Sequence, residues 1–94
     1  MAIQSFADHR TIAVFRGKFV KSIAPALARQ TRRRLVELNV ATSLGDLRAR
    51  GGNRLEALQG DRAGQWSIRV NDQWRICFTW HEGSPHGVEL TDYH

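Results

Sequence analysis

The stretch Trp66-Ser67-Ile68-Arg69-Val70-Asn71-Asp72-Gln73-Trp74-Arg75-Ile76-Cys77-Phe78-Thr79-Trp80 alternates large apolar residues with small or charged ones on both sides of a polar Asn71-Asp72 pair. Alternation of period two marks strands with one buried face, and a polar pair between two such runs marks a hairpin turn. Trp66, Ile68 and Val70 therefore share a face with Trp74, Ile76, Phe78 and Trp80, and that face must be covered. Ser67, Arg69, Asn71, Arg75, Cys77 and Thr79 fall on the opposite face, which is predicted to meet solvent. Arg69 and Arg75 converge there near one hairpin end, with no carboxylate in their own strands. Such a pair binds an anion, or it pairs across the sheet with Glu56 or Asp92.

Further strands flank the hairpin. Leu55 to Leu58 precedes it, separated by the loop Gly60-Asp61-Arg62-Ala63-Gly64, and Val88 to Leu90 follows a turn at Gly83-Ser84-Pro85. Ile3 to Phe6 is a further short strand. Cover for the apolar face comes from the N-terminal half. Asp8 is a helix N-cap before Ile12, Phe15 and Phe19 at helical spacing, and from Pro25 to about Thr42 the residues Leu27, Ala28, Thr31, Leu35, Leu38 and Thr42 fall on one arc. Arg29 and Arg33 point away from that arc and Arg32 and Arg34 lie on its edges, which makes the run a solvated basic face or a nucleic-acid or partner contact. Ser43 to Gly52 reads as a mobile polar connection, with Leu44 and Leu47 pinned to the core and Arg48 and Arg50 free. The fold class expected is α+β, a twisted antiparallel sheet of four to five strands with two N-terminal helices packed on one face, as one domain over residues 1–94.

A chain of 94 residues is too short for a deep ligand chamber, so the site is expected on an open surface. Fourteen lysines and arginines against nine acids give a net charge of +5, and twelve of the fourteen cations are arginine. Guanidinium groups grip phosphates bidentately, which favours nucleic acid over a membrane surface or a small acidic substrate. A GC-rich genome writes arginine for lysine too, so composition alone leaves a plain solvated surface open. Cys77 is the sole cysteine, which excludes a disulfide framework within one chain and a zinc site rich in thiolate. Met1 to Arg10 has no apolar core and no stretch reaches the length of a membrane span, so a reducing cytoplasm is expected.

The sequence closes on Asp92-Tyr93-His94, an acid, a phenol and an imidazole in a row. Three acid/base groups there are useful only if the last strand docks them against the basic sheet, beside Arg69 and Arg75. His94 suits proton transfer, because imidazole alone titrates near neutrality without help. Arg69 and Arg75 suit an anion, while Arg48, Arg50, Arg54 and Arg62 are candidate phosphate contacts around them. Asp92 either orients His94 or holds a nearby arginine, and Tyr93 either stacks on a base or donates a hydrogen bond to phosphate.

Asn53 to Ile76, beginning Asn53-Arg54-Leu55-Glu56-Ala57-Leu58-Gln59-Gly60-Asp61-Arg62, together with Asp92-Tyr93-His94, resembles the HigB-type toxins of bacterial type II toxin-antitoxin systems. The resemblance implies a RelE-like fold and endonucleolytic, ribosome-dependent cleavage of messenger RNA in the A site, with no cofactor. Such cleavage uses the neighbouring 2′-hydroxyl as nucleophile and needs a proton acceptor, a neutraliser of the crowded phosphorane, a role Arg69 and Arg75 suit, and a proton donor to the leaving 5′-oxygen. It carries catalysis to Asp92, Tyr93 and His94. Some members hold a catalytic histidine in the strand before the Gly-Asp-Arg loop, where this sequence has Glu56, either a base or a salt-bridge partner. It also implies a HigA-type antitoxin with a helix-turn-helix, through which alone the toxin would touch operator DNA. Two other classes are a non-enzymatic toxin of the RelE/ParE fold, such as a gyrase poison, and a basic RNA-binding module without chemistry.

Overall fold

The structure, a computed structural model, describes residues 3–92. It runs α1 (His9–Phe15), α2 (Pro25–Val40), α3 (Leu44–Ala49), β1 (Glu56–Ala57), a single 3-10 turn (Gly60–Arg62), β2 (Trp66–Arg69), β3 (Trp74–His81) and β4 (Ser84–Asp92). The four strands form one antiparallel sheet in the order β1-β2-β3-β4. This is the α+β meander expected from the alternation.

The helices start and stop where their ends are satisfied. Asp8 caps α1 by accepting from the backbone N–H of Thr11 at 2.8 Å. The helix ends at Phe15, because Gly17 takes a left-handed φ of 74° and turns the chain away. Phe19, expected on the same helix, therefore lies beyond it and is 83% exposed. Pro25 opens α2, and Thr31, Leu35 and Leu38 form its buried stripe, as the wheel predicts. The connection after α2 is not the mobile stretch expected. It forms α3, with the Ser43 hydroxyl accepting from the Asp46 N–H at 3.1 Å and the Asp46 carboxylate accepting from the Thr42 hydroxyl and N–H. The Thr42 hydroxyl, then its N–H, hold the Asp46 carboxyl below its ordinary pKa.

α2 packs on β3 and β4, and α1 packs on α2 and β4. Between these layers Leu35, Leu38, Ile68, Ile76, Phe78, Val88 and Leu90 are at most 1% exposed. Trp66, Trp74 and Trp80 are half-buried and pack against this core, which agrees with their parity. The N-terminal segment contributes less strand than expected, a single parallel bridge of Phe6 to Val88. Conversely β4 is longer than Val88 to Leu90, because Glu82 and Gly83 alone make the turn, both at positive φ, and Ser84 and Pro85 already belong to the strand.

Since Leu38 is wholly buried where α2 meets the sheet, Leu38→Ala is expected to lower the unfolding free energy by about 2–5 kcal/mol. Urea denaturation followed by tryptophan fluorescence measures this. A loss under about 1 kcal/mol would mean that α2 does not seal the core.

Candidate functional site

Strand register brings the predicted arginines together. Arg69 on β2 is the direct cross-strand partner of Arg75 on β3, which is itself opposite Thr91 on β4. Alternation puts all three on the face away from the helices, in the same layer as the neighbouring row Glu56, Ser67, Cys77 and Glu89. The Asn71-Asp72 turn sets this register, with the Asn71 side-chain oxygen accepting from the N–H groups of Gln73 at 2.9 Å and Trp74 at 2.8 Å.

The face is less open than alternation alone implied. Ser67 and Cys77 are buried, and Arg75 is only 7% exposed. The reason is the loop between α3 and β1, which folds back over the sheet. Arg75 Nε donates to the Ser67 hydroxyl at 2.7 Å, while its Nη2 donates to the Arg54 carbonyl at 2.6 Å and more weakly to the Ser67 carbonyl at 3.4 Å. Arg54 adopts a left-handed φ of 45°, a conformation costing about 1 kcal/mol or more for a residue with a side chain. That backbone geometry presents its carbonyl to Arg75.

Asn53, which sequence reasoning passed over, anchors the same loop. Its side chain is fully buried, accepts from Arg34 at 2.9 Å and donates to the Leu47 carbonyl at 3.1 Å, while its own carbonyl accepts from the Arg69 N–H at 2.6 Å. The loop is thus tied to α2, to α3 and to both arginine-bearing strands. A buried Asn beside a left-handed residue leaves no periodic trace in a sequence, although its position before an apolar strand was the available clue.

Arg69 is the more accessible guanidinium. It donates to Asp72 at 2.5 Å, and the Asp72 side chain is fully exposed. A pair of that kind contributes roughly 0–1 kcal/mol, so a phosphate offering bidentate contact is a competitive replacement for the carboxylate. Asp72, in the turn and not in either strand, is therefore the partner that replaces the expected Glu56 or Asp92 at Arg69.

The other predicted residues divide into three groups. Glu56 sits exposed on the edge strand opposite Ser67, one row from the arginines, and Arg54 is exposed next to the Arg75 anchor. Arg62 reaches back over the sheet to Gln65 at 2.9 Å and to Glu89 on β4 at 3.2 Å, so it is held in an ion pair at the margin of the same face. Arg48 and Arg50 are exposed on and just after α3. Asp92, at the end of β4, is opposite Trp74 and accepts from the Gln73 amide at 3.2 Å. Alternation therefore starts its side chain on the Trp74 side of the strand and not on the Arg75 side. Tyr93 and His94 lie outside the described residues. Among the described residues no cluster of three or more His, Cys, Asp or Glu side chains could hold a metal ion.

Comparison with known proteins adds identity to this geometry. A family profile described as RelE-like toxin of type II toxin-antitoxin system HigB matches residues 4–94. Endoribonuclease HigB of Proteus vulgaris is 37% identical over 93 residues, covering 98% of this chain and 99% of that protein. Toxin HigB-1 of Vibrio cholerae serotype O1 is 47% identical over 51 residues, 54% of each chain. In three dimensions the chain is similar to the YoeB-YefM complex from Staphylococcus aureus, with a TM-score of 0.62 at 14% identity over 100% of this chain and 99% of that one. It is also similar to the YoeB/ParE toxin from Agrobacterium tumefaciens, with a TM-score of 0.58 at 15% identity and the same coverage. These two likenesses establish the fold.

Asn53 ties the loop to α2 and α3, and Ser67 holds Arg75 on the carbonyl of the next residue, Arg54, so Ser67→Ala and Asn53→Ala are each expected to cost about 1–3 kcal/mol, from a buried polar group left unpaired. Their double-mutant cycle in urea should show a coupling of at least about 0.5 kcal/mol, and additivity to within about 0.3 kcal/mol would mean that they act on separate structures.

Proposed function

This chain belongs to the HigB family of RelE-like toxins of type II toxin-antitoxin systems, and from that footing we propose that it is a metal-independent endoribonuclease that cleaves translated messenger RNA in the ribosomal A site. The observation that carries the reading is the cross-strand pair of Arg69 and Arg75 on the sheet face turned away from the helices. The name of the Proteus vulgaris relative supports the same chemistry.

The residues divide the work as follows. Arg75, fixed by the Ser67 hydroxyl and the Arg54 carbonyl, is a preorganised cation that needs no reorientation when charge develops on the phosphorane. Arg69 exchanges Asp72 for a phosphate oxygen as the substrate enters. His94 transfers the proton, taking it from the attacking 2′-hydroxyl or giving it to the departing 5′-oxygen. Glu56 on the edge strand, one row from the arginines, shares that task or serves as a salt-bridge partner. Tyr93 contacts the base or the phosphate, and Asp92 orients the residues that follow it. Arg54 and Arg62 guide the RNA backbone across the sheet margin, and Arg48 and Arg50 extend the positive surface towards α3.

The toxin acts as a single domain in the cytoplasm, and among the described residues no helix is long and apolar enough to cross a membrane. Its partner is an antitoxin of the HigA type, whose helix-turn-helix represses the shared operon, so this chain meets operator DNA only through that protein. Ribosome and messenger supply the remaining contacts.

Primer extension on translated messages, in cells expressing wild type or single variants, measures the activity. His94→Ala is expected to reduce cleavage roughly 10²- to 10⁴-fold, and Arg69→Ala roughly 10²-fold. Equal toxicity and equal cut-site intensity for wild type and His94→Ala would remove the enzyme reading, and DNA breaks preceding transcript breaks would replace it with a gyrase-type target.

A further inference from the structure

The outer edge of β4 is closed in two different ways along its length, and the second way depends on one arginine. β4 pairs with β3 on one side only, so its other edge would be left open to solvent or to another strand. Over Pro85 and Val88 the backbone of residues 4–7 closes it. The Gln4 N–H donates to the Pro85 carbonyl at 2.9 Å, the Ala7 N–H to the Val88 carbonyl at 2.9 Å, and the Val88 N–H to the Ser5 carbonyl at 3.1 Å. Backbone cover stops there, because the Asp8 cap starts α1 and a helix turns its main-chain bonds inward.

Side chains of α1 take over at Leu90. Thr11 Oγ1 accepts from the Leu90 N–H at 3.1 Å, and Arg10 Nη2 donates to the Leu90 carbonyl at 2.9 Å. Thr11 and Leu90 are buried, whereas Arg10 is half-buried. The same guanidinium lies over the Trp74 ring, 5.7 Å from its centroid, within range of a cation–π attraction. Trp74 on β3 is the cross-strand partner of Asp92. Arg10 therefore holds both strands near the last described row of the sheet. It grips β4 by its backbone two residues before Asp92, about 7 Å along the strand, and β3 by the ring opposite Asp92. Edge protection alone would be served by any donor to the Leu90 carbonyl, but the ring contact ties that carbonyl to the neighbouring strand.

We propose that Arg10 is a positioning residue for RNA cleavage, holding the end of β4 so that Asp92, Tyr93 and His94 meet a phosphate bound at Arg69 and Arg75. The inference rests on the endonuclease reading and adds to it a residue of α1, at the opposite end of the sequence from the segment it aligns. Arg75 is opposite Thr91, one row back from the row of Trp74 and Asp92. The cation for the phosphorane and the acid/base segment are thus carried on adjoining rows of the same two strands, and a shift of β4 against β3 would move one without the other. A misplacement of about 1 Å in such a geometry can cost roughly 10²-fold in rate. A guanidinium suits this task better than an ammonium, because its planar fork can lie on a ring and donate in its own plane to a carbonyl at the same time.

The test pairs single-turnover cleavage of ribosome-bound messenger with nuclear magnetic resonance of the histidine rings in the free protein. Arg10→Ala is expected to lower the cleavage rate roughly ten- to 10²-fold with ribosome binding unchanged. On a His94→Ala background the same substitution should have no further effect, since the segment it aligns has already lost its proton-transfer group. A merely structural loss would instead lower both backgrounds by the same factor, as Leu38→Ala should. In the free protein Arg10→Ala is expected to move the His94 ring resonances and to leave in place those of His81 and His86, which lie at the other end of the β3–β4 pair. Arg10→Lys keeps a cation and a donor, so it should change both readouts in the same direction by less, and it decides the matter if alanine unfolds the chain. Equal factors in the two backgrounds, or a His94 signal indifferent to both substitutions, overturns the proposal. Messenger left uncut by the wild type would strike the endonuclease reading, and the His94 resonance would still decide whether Arg10 holds the segment.

Discussion

The register of the β2–β3 hairpin is the constraint from which the rest of the molecule follows. Asn71 fixes it by accepting two backbone N–H groups at the turn, and the pairing of Ile68 with Ile76 seals it from within, both residues being fully buried. A slip of one residue would send both isoleucines outward and both arginines towards α2, which the core could not tolerate. Core and candidate site are therefore specified by the same pairings. One face cannot be built without building the other.

Much of this was legible in the sequence because it is periodic. Trp66 to Trp80 announced its two faces, Thr31, Leu35 and Leu38 announced the buried stripe of α2, and Asp8 announced its cap. What escaped is aperiodic. Alternation tells which side of a sheet Arg75 occupies but not that a loop will fold over it, since that depends on a left-handed Arg54 and a buried Asn53. Likewise α3 is too short to show an amphipathic arc, and its signal was the Ser43 cap with Asp46 in the first turn. Phe19 kept helical spacing after the helix had already ended at Gly17. Spacing reports phase, and it cannot report where the backbone changes direction.

The two arginines at the centre of the site differ in a way their shared row conceals. Arg75 is almost fully buried and bound to a hydroxyl and backbone carbonyls, whereas Arg69 is held by one exposed carboxylate. A buried guanidinium whose hydrogen bonds are satisfied is costly to move, so it serves as a fixed reference for position. An exposed ion pair is cheap to exchange. A site that combines one immobile cation with one exchangeable cation can bind a polyanion without prior rearrangement of its own scaffold, which is the arrangement that stabilises developing charge most effectively.

Charge is also divided between the layers of the fold. Most cations lie in the helical half, on the far side of the sheet from the arginine row, and they border apolar hollows instead of polar ones. If solubility alone had set the composition, cations and acids would be interspersed, because same-sign crowding costs stability through self-repulsion. A run of eight cations without an acid, between Asp8 and Glu37, carries that cost, eased at its end where Arg34 pairs with Glu37 at 3.1 Å. On the sheet face, by contrast, Arg69 and Arg62 are each paired to a carboxylate, Asp72 and Glu89.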